Sequence, residues 1–452
     1  MYNTFPRGTV KPADSLPLCS LKIDEMLLVN TLREERERVL EGLKKRKLDA
    51  AGQVDRIVSL DDRRKELQSR NDELLAERNS LSKEIGTLFK TGRQEEAQQK
   101  RARVNAIKDE VSTLETEMES VVTELEDALL QLPNVPYEKV PAGSSAEDNE
   151  VYRPYPGELP KLGGDAKPHW ELADTYGIFD LELGVRTTGS GFPVFTGQGA
   201  RLQRALVNMF LDRNAAAGYT EYAPPLLVNE DTARGTGQLP DKEGQMYYVQ
   251  ADDLYLIPTA EVPLTNLYRG ELLDADRLPI KLTGYTPCFR REAGSYGAHV
   301  RGLNRVHQFD KVEIVQLAKP EESYAKLDEM VDHVAGLLDE LGLPYRILRL
   351  CGGDMGFTSA MTYDFEVWSA AQERWLEVSS VSNFETYQSN RLKLRYRTER
   401  GTELVHTLNG SALALPRIIA ALLENNQSPD GILLPEALHG YVGTDRLRPV
   451  GS

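Results

Sequence analysis

The chain has 452 residues, 40% of them apolar and 27% charged, and its 70 Asp and Glu against 54 Lys and Arg give a formal net charge of −16. That length supports about two or three domains around a sizeable core, and no apolar run approaches the roughly 18 residues of a transmembrane helix. The acidic total disfavours a general nucleic-acid surface, so a partner of that kind requires basic residues that are concentrated locally.

Three cysteines, Cys19, Cys288 and Cys351, lie far apart without paired spacing. This argues against a disulfide framework or a cysteine-based zinc site and suits a reducing cytoplasm. The six histidines form no HxxxH pair. The N-terminus lacks the basic, apolar and small-residue succession of a signal peptide.

Residues 1–25 carry scattered Pro and Gly without periodicity and are expected to be a disordered extension or the product of an upstream start site; a strapped-down arm is the alternative. Further on, Leu60, Leu67, Leu74, Leu81 and Leu88 recur every seventh position. After Thr91-Gly92, a plausible turn, Val104, Ile107, Val111, Leu114, Met118, Val121, Leu125, Ala128 and Leu132 follow in steps of three and four. Both patterns are coiled-coil seams. Two such helices joined by a short turn run antiparallel, forming an arm about 45–60 Å long at 1.5 Å per residue, and Pro133 and Pro136 end it. Lys90, Arg93, Lys100, Arg101, Arg103 and Lys108 gather around its distal turn. That cluster suits contact with RNA phosphates and equally an ordinary solvated helix face, and a dimerising coiled coil is the structural rival.

Residues 137–168 read as a linker rich in Pro, Gly, Ser and acidic residues. Residues 199–228 predict an amphipathic helix, a stop at Gly218 and a strand ending at Pro224-Pro225. In LYLIPTAEVPLTN (254–266), Thr259 and Glu261 stand two apart, as they would on one strand face. TGYTPCFRRE (283–292) reads as a strand that puts Arg290 and Glu292 on a shared face. An arginine fork suits phosphate or carboxylate there, and the acid accepts from an amine. A loop with Gly294, Gly297 and Gly302 follows and reaches Arg301, residues 321–342 form an amphipathic helix, and Glu377, Ser379 and Ser380 offer hard oxygen ligands suited to Mg²⁺. Near the end a strand leads into Asn409-Gly410-Ser411 and then a helix with Pro416 in its first turn. Arg417 at that helix start can meet an anion.

The run FRREAGSYG…RGLNRVHQF, between 289 and 309, resembles motif 2 of the class II aminoacyl-tRNA synthetases, and specifically of the seryl-tRNA synthetases. Residues 199–228 are similar to motif 1, which builds the dimer interface in that class, and 406–427 to motif 3. The resemblance begins at about Met26, where MLLVNTLREERERVLEGLKKR reads like a usual start of the family, and runs to about Gly440.

The resemblance implies an α+β chain: an N-terminal antiparallel two-helix coiled-coil arm, then a catalytic domain built on an antiparallel β-sheet flanked by helices. The implied divisions are an extension at 1–25, a tRNA-binding helical domain at 26–136, a linker at 137–168, the catalytic domain at 169–440 and a tail at 441–452. It implies ATP as substrate, Mg²⁺, L-serine, tRNA(Ser) and, where it exists, tRNA(Sec), in a cytoplasmic homodimer without membrane attachment. The ATP-contacting set it implies is Arg290, Arg291, Glu292, Val306, Glu377, Val378, Ser379, Ser380 and Arg417, with Arg290 on the α-phosphate, Arg417 on the γ-phosphate, and Glu377 and Ser380 holding the metal. Arg290 and Arg417 are the catalytic pair. The implied serine pocket is Thr259, Ala260, Glu261, Arg290, Glu313 and Ser411, and Lys90, Arg93, Lys100, Arg101 and Arg103 would face the tRNA.

Some positions depart from the family pattern. Ala298-His299 stand where many relatives carry a basic–acidic pair, Met361 where many have lysine, and Val381 and Phe384 where cysteines are often seen. Two rival functions are a ligase that charges a carrier protein, whose relatives typically lack the long arm, and a non-catalytic coiled-coil protein, which loss of Arg290, Glu292 or Arg417 would have favoured.

Overall fold

A computed structural model describes residues 27–292 and 300–451. The expected extension at 1–25 and the loop positions Gly294, Gly297, Ala298 and His299 lie outside the described residues. The rest divides into two compact units, one of residues 27–36 and 51–132, the other of 37–50 and 133–451. Residues 37–50, expected with the helical domain, thus pack with the catalytic unit.

The first unit is dominated by helices α1 (Ala51–Lys90) and α2 (Gln94–Leu130). The chain reverses between them at Gly92, whose φ of 77° suits glycine. At 1.5 Å per residue the 40 residues of α1 span about 60 Å. Leu67 packs with Met118, Val121 and Val122, and Leu74 with Ile107 and Val111, the reversed order of an antiparallel pair. Asn71 is buried in this seam, 2% exposed, with its Oδ1 unpaired. A polar residue in an apolar seam costs stability and fixes register.

The second unit is α+β. Its main sheet has eight strands: β1 (Glu150–Arg153), β2 (Thr220–Glu221), β3 (Ile280–Phe289), β4 (Gln308–Ala318), β5 (Tyr345–Arg349), β6 (Met361–Ser369), β7 (Arg374–Asn383) and β8 (His406–Ala414). Their order is β1-β5-β6-β7-β8-β4-β3-β2. Every neighbouring pair is antiparallel except the edge pair β2–β3. Helices α3 (Gly197–Ala216), α4 (Ser323–Glu340) and α5 (Leu415–Asn425) give apolar residues to one core together with Val312, Ile314, Phe365, Val367, Val381 and Leu408 of the sheet. Because side chains alternate along a strand, Glu313, Asp364, Ser380 and Asn409 point to the opposite face. That face carries the site.

Three expectations need correction. The segment 137–168 is more than a linker, because β1 closes one edge of the main sheet against β5; an edge strand of four residues, EVYR, is too short to leave a clear alternation in sequence. The tail at 441–452 is tied down, since Leu447 is fully buried and Arg446–Leu447 pairs with Gly431–Leu433. Strand β3 stops at Phe289, so Arg290 and Glu292 lie beyond it, and Glu292 has a φ of 45°, which no strand allows.

Candidate active site

The opposite face of the sheet holds a cavity of about 520 Å³. Arg290, Glu292, Val306, Thr259, Glu261, Ser411, Arg417 and the run Glu377–Ser380 all line it. Glu313 lies buried beneath, bonded to that lining. Ala260 is fully buried behind it, and Arg291 is exposed and outside it.

Arg290 reaches the cavity although the strand has ended. Its backbone N–H still donates to the His307 carbonyl (2.9 Å), its Nε donates to the Pro258 carbonyl (3.3 Å), and its guanidinium lies 5.3 Å from the centre of the Phe309 ring. Among the described residues its other guanidinium nitrogens have no hydrogen-bond partner. Two residues on, the Glu292 N–H donates to the Gln245 side-chain carbonyl (3.0 Å), and Arg305 donates to the Glu292 carboxylate (2.8 Å).

Thr259 and Glu261 also share the cavity for a reason other than a common strand. The strand before them ends at Leu256, and Glu261 opens a short helix, Glu261–Asn266. Here Lys311 donates to the Thr259 hydroxyl (2.7 Å) and pairs with Glu313 (2.5 Å). The Glu313 carboxylate also accepts from Thr259 (3.3 Å) and from the Asn409 amide (3.2 Å). Glu261 accepts from Gln388 (2.7 Å), which in turn accepts from Thr407 (2.7 Å). Burial pushes the Glu261 carboxyl up to about 7, with the neighbouring Glu313 adding to the rise. Burial raises Glu313 too, against the pull of Lys311. Lys311 and Arg290 both pull these carboxyls down, yet burial outweighs them, so the pair can still gain from a further cation.

Between β6 and β7 the register slips by one residue: Phe365 faces Ser379 while Glu366 faces Glu377, and Val378 is the extra residue of a bulge. Val378 and Ser379 therefore both turn inward, and Ser379 donates to the Ser411 carbonyl (2.6 Å). Glu377 and Ser380, three apart in sequence, end on the same face as Asp364. Burial and the nearby Glu377 carboxylate hold Asp364 well above the usual carboxylate range, and its Oδ1 has no hydrogen-bond partner.

This oxygen set fits Mg²⁺. No group of three or more His, Cys, Asp or Glu that could cage a metal exists among the described residues. A hard cation held by one or two carboxylates plus ligand phosphates needs none. Across from it Arg417, at the start of α5, donates to the Asn304 carbonyl (3.0 Å) and the Glu377 carbonyl (2.7 Å) and lies 3.8 Å from the Glu377 carboxylate. Burial lowers its pKa, with Glu377 acting against the shift.

Two family profiles match the chain: "Seryl-tRNA synthetase N-terminal domain" over residues 26–136 and "tRNA synthetase class II core domain (G, H, P, S and T)" over 247–426. The serine–tRNA ligase of Salinibacter ruber is 52% identical over 425 residues, covering 93% of this chain and 99% of the relative. The chain belongs to the seryl-tRNA synthetase family. The serine–tRNA ligase of Chlorobaculum parvum is 46% identical over equal coverage. Among solved structures, the seryl-tRNA synthetase from Pyrococcus horikoshii complexed with ATP superposes with a TM-score of 0.85 at 34% identity, covering 94% of this chain and all of that one.

Against the family's expected residues, sequence reasoning missed Lys311, Asp364, Gln388, Asn304 and Asn409. A signal existed for two of them. Lys311 stands two before Glu313 in a strand whose intervening positions are apolar, and Asp364 alternates with Phe365 and Val367. Asn304 and Asn409 lie within the runs that resemble motifs 2 and 3 without standing out there, and Gln388 carries no local signal, because only tertiary folding brings it against Glu261.

The expected RNA-facing cations sit in the first unit, many of them already partnered. Arg93 pairs with Glu96 (2.5 Å), Arg103 with Glu77 and Glu110 (2.8 and 2.7 Å), and Lys100 with Glu84. Arg101 stacks over Phe89, 4.8 Å from the ring centre, and Phe89 is 42% exposed.

Proposed function

We propose that the cavity activates L-serine with ATP and hands the product to the 3′ end of tRNA(Ser), and to that of tRNA(Sec) where that RNA exists. The observation that carries this reading is the meeting, in one cavity, of two arginines anchored on backbone carbonyls and a buried pair of acids. The arginines suit the phosphates of ATP and the acids suit the serine ammonium. The relatives' names, serine–tRNA ligase, agree with this pairing.

In the first step the serine carboxylate oxygen attacks the α-phosphorus. The bond to the bridging oxygen breaks and pyrophosphate leaves with that electron pair. In the second step a hydroxyl of the terminal ribose attacks the seryl carbonyl, and AMP leaves. Neither step needs a protein nucleophile; positioning and charge stabilisation suffice. Arg290 binds the α-phosphate and the serine carboxylate, Arg417 the γ-phosphate, and Glu292 accepts from the adenine amine beside the Val306 backbone. Thr259, Glu261, Glu313 and Ser411 hold serine. Glu377 and Ser380 would hold Mg²⁺, with Asp364 alongside, and the ion would neutralise phosphate charge.

Selectivity follows from hydrogen bonds to the serine hydroxyl. A polar site left unpaired rejects alanine strongly, whereas threonine is excluded only by size. The arm supplies the grip on RNA by shape and backbone contact, its surface ion pairs being weak enough to exchange for phosphates. The protein works as a cytoplasmic homodimer through the motif 1 region.

The test is amino-acid-dependent ATP–pyrophosphate exchange with serine, threonine, alanine and glycine, followed by charging of total tRNA. Exchange with serine plus charging is expected. Exchange without charging would mark a carrier-protein ligase, and no exchange with any amino acid would end the enzymatic reading.

A further inference from the structure

Arg46 lies in the segment 37–50, which packs with the catalytic unit although the chain on both sides of it belongs to the arm's unit. A guanidinium has five N–H donors, and Arg46 directs its nitrogens at five backbone carbonyls. Its Nε donates to Asn134 (3.0 Å), Nη1 to Gly352 and Met355 (3.3 and 3.1 Å), and Nη2 to Gly356 and Ser359 (3.1 and 2.7 Å). Four of these acceptors lie in one loop, 352–359. The residue where the chain returns from the arm grips the same loop. Asn134, 2% exposed, donates from its backbone to the Phe357 carbonyl (2.9 Å) and from its amide to those of Thr358 (2.9 Å) and Phe384 (2.8 Å).

The fit extends to the backbone. A Cβ on Gly352 would stand 2.3 Å from the Lys45 carbonyl oxygen, so glycine alone admits the approach. The loop has no regular structure, and its internal hydrogen bonds are few: Asp354 and Met355 to Cys351, and Ser359 to Gly356. Its shape is therefore set from outside. That shape matters because Asp354, Gly356, Thr358 and Ser359 line the active-site cavity.

We propose that Arg46 is a positioning residue for serine activation: with Asn134 it fixes the 352–359 loop and hence one wall of the cavity that ATP and serine occupy. The inference rests on the activation reading above. It makes the segments that precede and follow the arm in sequence part of the active-site scaffold. Burial lowers the pKa of Arg46 to about 10, in keeping with a cation solvated by carbonyls instead of water.

The test uses the full-length chain with Arg46→Lys, Arg46→Met and Asn134→Ala. Each is assayed by ATP–pyrophosphate exchange at varied serine and ATP, with active sites counted by single-turnover adenylate formation and folding followed by circular dichroism. Lysine keeps the charge but offers three donors in place of five. Arg46→Lys should raise KM for serine or ATP at least about fivefold, and Arg46→Met at least about tenfold, with kcat per counted site within about twofold. A residue that only held the fold would reduce the number of counted sites and leave both KM values alone. That outcome in the folded variants overturns the inference. Should Arg46→Met fail to fold, Arg46→Lys and Asn134→Ala decide by the same criterion. A wild-type chain without serine-dependent exchange would instead overturn the activation reading, and this inference with it.

Discussion

Glu261 should make the protein less stable than it could be, and the cost can be worked out. Its carboxyl is 6% exposed and is held at about 7 instead of its ordinary 4.5. A carboxyl raised on folding binds its proton more tightly in the native state. It therefore costs nothing below the unfolded value, costs more as pH rises from 4.5 to 7, and costs a constant amount above. At 1.36 kcal/mol per tenfold change that plateau is about 3 kcal/mol. Glu261→Gln keeps an oxygen to accept from Gln388 and removes the charge.

The variant should thus be more stable than wild type at pH 8, by about 3 kcal/mol or on the order of 5 °C in midpoint, and equally stable at pH 4. Thermal unfolding by circular dichroism at both pH values measures this. Function should move the other way: if Glu261 meets the serine ammonium as proposed, KM for serine in pyrophosphate exchange should rise. Equal stability at pH 8, or a gap that persists unchanged at pH 4, would refute the reasoning.

Arg290→Ala should lower serine-dependent pyrophosphate exchange by about 10²–10³-fold, the usual scale for removing one preorganised donor to developing charge; near-normal exchange would sink its assignment. Deleting residues 64–128 should spare exchange and abolish tRNA charging, measured side by side on one preparation. Leu74→Ala, at a position 1% exposed between the arm helices, should cost the arm about 2–5 kcal/mol. It should weaken charging with little change in exchange. Chelating Mg²⁺ with EDTA should stop exchange, and adding Mg²⁺ back should restore it.

The arm was the most legible part of the chain, because a seven-residue repeat sustained over five leucines leaves few other structures open. The cavity was legible only in part. Arg290 and Glu292 stood out as charges in an apolar setting, but the strand rule used to pair them does not apply, since β3 ends at Phe289. They converge through a turn and the support of Gln245 and His307. Thr259 meets Glu313 and Lys311 only because the loop after Leu256 folds against β4, and Glu377 meets Ser380 only through a slip in register. Both are tertiary relations, which a single stretch of sequence does not display.

That slip at Val378 has a consequence for how this stretch tolerates change. At Val378 the presence of the extra residue matters more than its side chain. Removing Val378 would restore regular pairing with β6, yet it would leave Glu377 and Ser380 two apart in an uninterrupted ladder, without the twist and bend that a bulge lends its strand. Adding a residue would turn either Glu377 or Ser380 towards the apolar core. In a library of single-codon insertions and deletions, the middle of β7 should therefore emerge as intolerant, while a conservative exchange of Val378 for isoleucine passes unnoticed.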